Sequence, residues 1–139
     1  MSRASLVELT NLCVICDGSR VLVQDKTGGH GEPGESMLAS VIREMREETG
    51  LLIEHPVLCG IKDWMREDGT RFIVALYRAD RFTGELNSSE EGRMFWIERE
   101  EFAKTNTIWG MNDVLRVCDE AKYSEMFYSE EKEGWVLLG

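Results

Sequence analysis

The sequence of 139 residues predicts an α/β fold, and three of its features carry that prediction. Residues 71–78, RFIVALYR, are rich in β-branched and aromatic side chains, which favours a strand. Residues 37–49 place apolar side chains at helical spacing, and residues 112–122 do so again much later in the chain. Strands mixed with two separated helices are typical of a sandwich built from helices and a β-sheet.

The remaining elements are shorter. Asp17-Gly18-Ser19 predicts a hairpin turn, Glu67-Asp68-Gly69 predicts a second turn, and residues 98–103 predict a short helix. Residues 82–86 are expected to bend away from the sheet. The other strands are short runs rich in apolar residues, and they are predicted at residues 9–16, 20–24, 57–64, 93–97, 126–128 and 135–138.

The helix at residues 37–49 has a start signal and a stop signal. Ser36 is the expected N-cap, because its hydroxyl can accept a hydrogen bond from the first turn, and Gly50 is the expected stop. With about 100° between successive residues, four apolar side chains fall within one narrow arc and are expected to face the core. They are Leu38, Val41, Ile42 and Met45.

Three glutamates lie on the same helix. Glu44 and Glu48 lie along one edge of the apolar arc, and Glu47 lies further round, beside Arg43 four residues earlier. Like charges at this spacing destabilise a helix by roughly 0.2–0.5 kcal/mol per pair, so a cation among them would explain the cluster. A hard divalent cation such as Mg²⁺ takes oxygen ligands and bridges protein carboxylates to substrate phosphates. A solvated acidic helix face is the alternative.

The spacing of the whole segment resembles the Nudix box. Gly29 is followed after five residues by Glu35, and after seven more by a block that ends at Leu51 and contains the three glutamates. The match covers residues 29–51 within one expected domain of residues 1–139. The resemblance implies the Nudix fold, an α/β/α sandwich with a mixed β-sheet. It also implies hydrolysis of a nucleoside diphosphate linked to a further group.

The same resemblance implies a set of metal ligands. Glu44 and Glu48 are expected to hold Mg²⁺ or Mn²⁺, with Glu47 in or next to the coordination shell. The backbone carbonyl of Gly29 is expected to add a further ligand. Arg43 is expected to orient Glu47 rather than touch substrate.

Residues 84–98, GELNSSEEGRMFWIE, resemble the MutT/8-oxo-dGTP diphosphatase-like branch of that family. In that branch a glutamate before a Trp-containing strand helps to bind metal or activate water, and it matches Glu91, with Glu90 as a rival. Trp109 and Asn112 resemble the residues that stack on and hydrogen-bond the base. Equally, Trp109 could be a core tryptophan and Asn112 the N-cap of the following helix.

Composition excludes several other functions. The net charge of −10 argues against a nucleic-acid polymer as partner, although a free nucleotide can bind through a metal. No apolar run approaches the roughly 18 residues of a membrane span, and the N-terminus has no signal-peptide pattern, so a cytoplasmic protein is expected. Edge strands and the C-terminal segment could pair two copies as a homodimer.

The cysteines and histidines give no second metal site. Cys13 and Cys16 lie three apart in an apolar run, where they would point to opposite faces of a strand. No other Cys or His pair has metal-site spacing, so all four thiols are expected to be buried and inert. His30, inside the glycine turn, could touch a phosphate or lie exposed in solvent.

The segment before the box departs from the family pattern. Relatives place a whole strand directly before the double glycine, whereas only Lys26 and Thr27 separate Gln24-Asp25 from Gly28-Gly29. Gly31 also occupies a position where an apolar residue is usual. The chain therefore lacks this strand, unless a loop is absent from the sequence, and a true loss would weaken one wall of the substrate pocket.

Three functions remain open on the sequence. The leading one is hydrolysis of a nucleoside triphosphate, such as 8-oxo-dGTP, to the monophosphate and pyrophosphate. The second is cleavage of ADP-ribose, a dinucleotide or a nucleotide sugar, which the short chain disfavours. The third is a domain that senses a nucleotide without turnover, which the intact set of glutamates disfavours.

Overall fold

The computed structural model describes residues 3–24, 29–87, 94–104 and 110–139. The helices within these ranges are α1 Met37–Thr49, α2 Arg99–Lys104 and α3 Met111–Asp119. The strands are β1 Val7–Asp17, β2 Arg20–Gln24, β3 Gly29–His30, β4 Leu52–Glu54, β5 Val57–Met65, β6 Arg71–Ala79, β7 Arg81–Thr83, β8 Met94–Glu98, β9 Glu125–Ser129 and β10 Gly134–Leu138.

Eight of these strands form one sheet. Its order is β10-β9-β5-β6-β1-β2-β8, and β3 pairs with β1 beside this path. β1 runs parallel to β6, and β5 runs parallel to β9, whereas the other pairs in this sheet are antiparallel. The sheet is therefore mixed, as predicted.

The long strand β1 separates two layers of core, because its side chains alternate between the faces of the sheet. Cys13 and Ile15 pack with Val41 and Met45 of α1 on one face. On the other face, β1 packs against α2 and α3. The residues of β1 in this layer are Leu12, Val14 and Cys16, and those of the helices are Phe102, Val114, Leu115 and Val117. The expected α/β/α sandwich is confirmed, and the opposite orientation of Cys13 and Cys16 with it.

The ends of α1 follow its local sequence. The Ser36 hydroxyl accepts a hydrogen bond from the Ala39 N–H at 3.0 Å, which satisfies one of the free donors of the first turn. At the other end Gly50 takes a left-handed conformation with φ of 83° and donates its N–H to the Arg46 carbonyl. Both predicted boundaries of the helix are confirmed.

The core-facing arc of α1 differs from the prediction at one position. Val41 and Met45 are fully buried, and Ile42 packs partly against the same core. Leu38 was expected among them but is 47% exposed. The buried side is instead completed by Ser40 and Thr49, so the helix is rotated slightly away from Leu38.

Two features after α1 differ from the prediction. Residues 82–86 do leave the main sheet, but Phe82 and Thr83 belong to an unpredicted strand, β7, which pairs with β4 in a second, two-stranded sheet. Ring stacking of Phe82 on Trp96, with centroids 5.4 Å apart, joins this small sheet to the main core. Asn112 is not an N-cap: α3 begins after Gly110, and Asn112 is already its second residue.

The glycine turn is fixed by a very short strand. β3 consists of two residues, which pair with Thr10 and Asn11 of β1. Residues 25–28, on which the prediction of a missing strand falls, lie outside the described residues.

The prediction that all four thiols are buried holds for two of them. Cys13 and Cys16 are buried, and burial raises the pKa of both thiols. Cys59 and Cys118 are only half-buried, and their thiols contact each other. A hydrogen bond from Cys118 lowers the pKa of Cys59.

Replacing Gly50 by Ala should destabilise the fold by more than about 1 kcal/mol, because its positive φ disfavours a side chain. A Cβ there would also lie 2.7 Å from the Glu85 carbonyl oxygen. Gly69→Ala is the matched control, since Gly69 has a similar φ of 87° but an added Cβ would meet no atom of the described residues within 4 Å. Urea denaturation should show a larger loss for Gly50→Ala, and equal losses would contradict the close approach.

Candidate active site

The acidic edge of α1 forms the centre of the site. The Glu44 side chain is 15% exposed and that of Glu47 is 59% exposed. Glu48 is half-buried, as the predicted position at the rim of the core requires. The helix therefore presents one well-exposed and two partly sheltered carboxylates on adjacent turns.

Arg43 joins this helix edge to the glycine turn. Its guanidinium makes a bidentate pair with Glu35, through Nε to Oε2 at 2.8 Å and Nη2 to Oε1 at 3.0 Å. Nη1 lies 3.1 Å from Glu44 Oε1 and donates to Glu47 Oε2 at 3.1 Å. Nη2 also donates to the His30 carbonyl at 3.3 Å. The predicted contact with Glu47 is present, and Arg43 in addition holds two further carboxylates.

Glu35 is a residue of this network to which sequence reasoning gave no role. The Arg43 hydrogen bonds lower the pKa of Glu35 to about 2, and a backbone hydrogen bond from Glu32 acts in the same direction. Its side chain is 17% exposed. The match of Glu35 to the box pattern was the signal that could have identified this residue. Its ion pair with Arg43 joins the turn to the helix across eight residues, so no helical periodicity predicts it.

The lowered pKa of Glu35 predicts an acid-dependent loss of stability. A carboxyl whose pKa falls from its usual 4.5 to about 2 on folding stabilises the fold above about pH 4.5, and this contribution is lost as the pH falls towards 2. We expect the melting temperatures of the wild type and Glu35→Gln to differ at pH 6 and to converge as the pH drops below about 4.5. Thermal unfolding at several pH values checks this, and a constant difference down to about pH 2.5 would contradict it.

The donor set of this helix edge fits a hard divalent cation. Glu44, Glu47 and Glu48 supply only oxygen ligands, which suit Mg²⁺ or Mn²⁺ better than zinc. In the described part of the chain, no three His, Cys, Asp or Glu side chains are already gathered as a metal site. Arg43 lies among the glutamates instead, so a cation bound here would replace Arg43 as the partner of Glu44.

The two predicted residues of the turn contribute through the backbone. Gly29 is held by its pairing with Asn11 of β1, and the His30 carbonyl accepts from Arg43. The His30 imidazole is exposed and lies 3.2 Å from Glu8 on β1. The ring therefore faces Glu8, and the backbone carbonyl connects this residue to the carboxylate network.

The residues predicted to act beyond the box are only partly visible. Glu91, its rival Glu90 and Trp109 lie outside the described residues. Asn112 lies on α3, on the face of the sheet opposite α1. Its Oδ1 is buried and accepts no hydrogen bond within the described ranges.

Lys62 lies on the same face as Asn112 and was missed by sequence reasoning. It is 6% exposed, and its Nζ lies 4.9 Å from the Trp135 ring centroid and 5.6 Å from that of Trp64. Burial lowers the pKa of Lys62 to about 8, against the opposing effect of Asp113. A single lysine within the sequence of an apolar strand gives no signal that its side chain faces two tryptophans.

Comparison with known families decides the assignment. A family model described as the NUDIX domain matches residues 9–118, well over half of the chain. The chain belongs to the Nudix family. The predicted resemblance to the Nudix family is thereby confirmed.

One curated relative is the uncharacterised Nudix hydrolase YvcI of Bacillus subtilis (strain 168). The two are 38% identical over an alignment of 104 residues, and the match covers 66% of this chain and 65% of the relative. The match therefore spans slightly less than two thirds of that relative's length.

Solved Nudix structures share the fold. A mutator MutT protein from Bacillus halodurans is 25% identical, with a TM-score of 0.72 over 94% of this chain and 97% of that one. A MutT Nudix hydrolase from Burkholderia pseudomallei is 20% identical, with a TM-score of 0.66 over 81% of this chain and 99% of that one. Among the described residues, no helix has the length and apolarity to cross a membrane.

Proposed function

We propose that this Nudix chain is a metal-dependent hydrolase that cleaves a nucleoside triphosphate to the monophosphate and pyrophosphate. The observation that carries the proposal is the carboxylate edge of α1, where Glu44, Glu47 and Glu48 lie beside a glycine turn tied down by Arg43. Structural neighbours named MutT support the same reaction class. Within that class, the resemblance of residues 84–98 favours an oxidised substrate such as 8-oxo-dGTP.

Each residue of the site has a proposed role. Glu44 and Glu48 would hold Mg²⁺ or Mn²⁺, with Glu47 and the Gly29 carbonyl as further ligands. When bound, such a cation neutralises phosphate charge and lowers the pKa of water. Arg43 would hold Glu47 in place through its hydrogen bond and would give up its ion pair with Glu44 to the cation.

Other residues are proposed to accept the proton of the reacting water and to bind the nucleobase. Glu91 is the proposed general base, with Glu47 as the alternative, because a carboxylate near the reacting water can accept its proton. Trp109 would stack on the nucleobase of the substrate, and Asn112 would hydrogen-bond that nucleobase.

A nucleotide-sensing domain without turnover is the second candidate. One observation favours it: only Lys26 and Thr27 separate Gln24-Asp25 from Gly28-Gly29, where the family pattern has a whole strand. A shorter wall would hold a substrate less firmly in position for reaction.

The deciding experiment measures Mg²⁺-dependent hydrolysis of 8-oxo-dGTP, dGTP, ADP-ribose and a dinucleoside polyphosphate, with Glu48→Gln as control. Release of pyrophosphate and a monophosphate, lost in the variant, is the expected result. Cleavage of only ADP-ribose or the dinucleotide would move the chain to a different substrate class. Nucleotide binding without turnover of any of the four would overturn the hydrolase and favour the sensor.

A further inference from the structure

Two thiols from distant parts of the chain meet where α3 packs on the start of β5. Cys59 is the third residue of that strand, and Cys118 lies in the last turn of α3. Both residues are half-buried, and their thiols contact each other. The proposed hydrolysis uses neither residue, so the pair needs an explanation of its own.

Contacts of the adjacent residues hold this part of β5 against the end of α3. A Cβ added at Gly60 would lie 2.9 Å from Cγ1 of Val117, so the strand and the helix are packed closely here. Arg78 of the neighbouring strand β6 makes an ion pair with Asp119 at 2.7 Å. The two thiols therefore lie between fixed contacts, and their approach does not depend on an exposed, unattached segment.

The strand is irregular at Cys59. In the ladder between β5 and β6, Leu58 pairs with Tyr77 and Gly60 pairs with Leu76, so Cys59 is an extra residue between two successive pairs. A bulge of this kind bends the strand locally and re-aims a side chain. Because a disulfide requires a specific separation of the two Cβ atoms, the bulge provides a place where the backbone can adjust without loss of the pairs on either side.

The surroundings make the two thiols unequal. The hydrogen bond from Cys118 lowers the pKa of Cys59, and the Arg78 guanidinium acts in the same direction. The pKa of Cys118 is raised by its hydrogen bond to Cys59 and by burial. Since the thiolate is the form that attacks an oxidant, Cys59 is the attacking residue and Cys118 the resolving one.

The other two cysteines lack these features. Cys13 and Cys16 are buried on opposite faces of β1, and burial raises the pKa of both. The Cys16 sulfur accepts a hydrogen bond from Arg99 Nη2 at 3.2 Å. Both residues therefore serve as internal controls for the reactivity of the exposed pair.

We propose that Cys59 and Cys118 form a site of reversible oxidation by hydroperoxides, at which a disulfide joins β5 to α3. The site goes beyond the proposed hydrolysis, because neither a nucleotide nor a metal takes part. The bond would connect two segments that are far apart in the chain and would tie the end of α3 to the sheet.

The reaction has two steps. The Cys59 thiolate attacks one oxygen of hydrogen peroxide, the O–O bond breaks, and the products are a sulfenic acid and hydroxide. The Cys118 sulfur then bonds to the Cys59 sulfur, and the sulfenic hydroxyl leaves with the Cys118 proton as water. Two thiols are oxidised by two electrons in total, and one peroxide is reduced to two waters. A thiol reductant reverses the change by thiol–disulfide exchange.

Peptide mapping tests the pairing. The folded chain is treated with hydrogen peroxide, alkylated in urea and digested with trypsin, which places Cys59 in residues 47–62, Cys118 in residues 117–122 and the other two cysteines together in residues 4–20. The expected product joins residues 47–62 to residues 117–122, with a fall from four free thiols to two that dithiothreitol reverses. Four alkylated thiols, or a link that involves residues 4–20, would overturn the proposal. The same mixture of links in the folded chain and in a chain oxidised in urea would also overturn it.

Three variants assign the roles of the two thiols. Cys118→Ser should stop at the sulfenic acid, which dimedone labels on Cys59, whereas Cys59→Ser should give neither label nor link. Cys13→Ser is the matched control, since this buried residue lies on the other face of the sheet, and it should form the link as fast as the wild type. Dimedone labelling of Cys118 in Cys59→Ser, at the rate seen for Cys59, would overturn the assignment of Cys59 as the attacking thiol. If a serine variant failed to fold, the wild-type peptide map would still decide whether the disulfide forms.

Discussion

Glu44→Gln and Glu48→Gln should each remove most metal-dependent turnover without weakening the fold. Loss of an outer-shell partner of a metal site already costs roughly 10–100-fold, so loss of a charged ligand should cost at least as much. The same change removes one negative charge from a crowded helix edge, and each like-charge pair costs roughly 0.2–0.5 kcal/mol. Stability should therefore stay constant or rise slightly.

Glu47→Gln is the internal comparison for this prediction. Its side chain is 59% exposed, against 15% for Glu44, so it should contribute less to a sheltered cation site. Steady-state kinetics at saturating Mg²⁺, together with melting temperatures, check the ranking. Full turnover in Glu44→Gln and Glu48→Gln would contradict the ligand assignment, and unfolding of either variant would show that these glutamates are structural.

The features that the sequence predicted well are those controlled by neighbours in the chain. The bounds of α1 follow from the Ser36 hydroxyl and the left-handed Gly50, both within one turn of the helix ends. The hairpin between β1 and β2 likewise depends only on the turn residues between them. The contact between Arg43 and Glu47 was predictable because four residues place two side chains on one helix face.

The features that were missed depend on contacts between distant segments. β7 forms because residues 81–83 pair with β4, which lies some thirty residues earlier in the chain. Leu38 has the right spacing for the core but is 47% exposed, because Ser40 and Thr49 complete the buried side of α1 instead. The bond between Asn11 and Ser40 spans 29 residues, so no periodicity in the sequence could indicate it.

The same distinction applies to the site. Helical spacing was enough to group the three glutamates on one edge of α1. It gave no indication that Arg43 also reaches Glu35 and the His30 carbonyl in the turn. That reach makes Arg43 the connection between the two halves of the box.

Arg43→Ala should therefore reduce turnover by roughly 10–100-fold, the range for a partner that orients metal ligands. The change removes the bidentate bond to Glu35 and the contacts with Glu44 and Glu47 together. Without the guanidinium these carboxylates repel one another and the glycine turn is no longer tied to α1. The melting temperature should fall as well, in contrast to the glutamate variants.

Arg43→Lys separates charge from geometry. Lysine keeps the positive charge but cannot make two parallel hydrogen bonds to Glu35, so activity between those of wild type and Arg43→Ala is expected. Arg46→Ala, at an exposed position three residues later on the same helix, is the matched control and should change neither property. If Arg43→Ala kept full turnover while losing stability, Arg43 would hold the turn without positioning the glutamates. The guanidinium contacts both the turn and the glutamates. Partial recovery of the lost turnover at high Mg²⁺ concentration would therefore identify orientation of the metal ligands as its role.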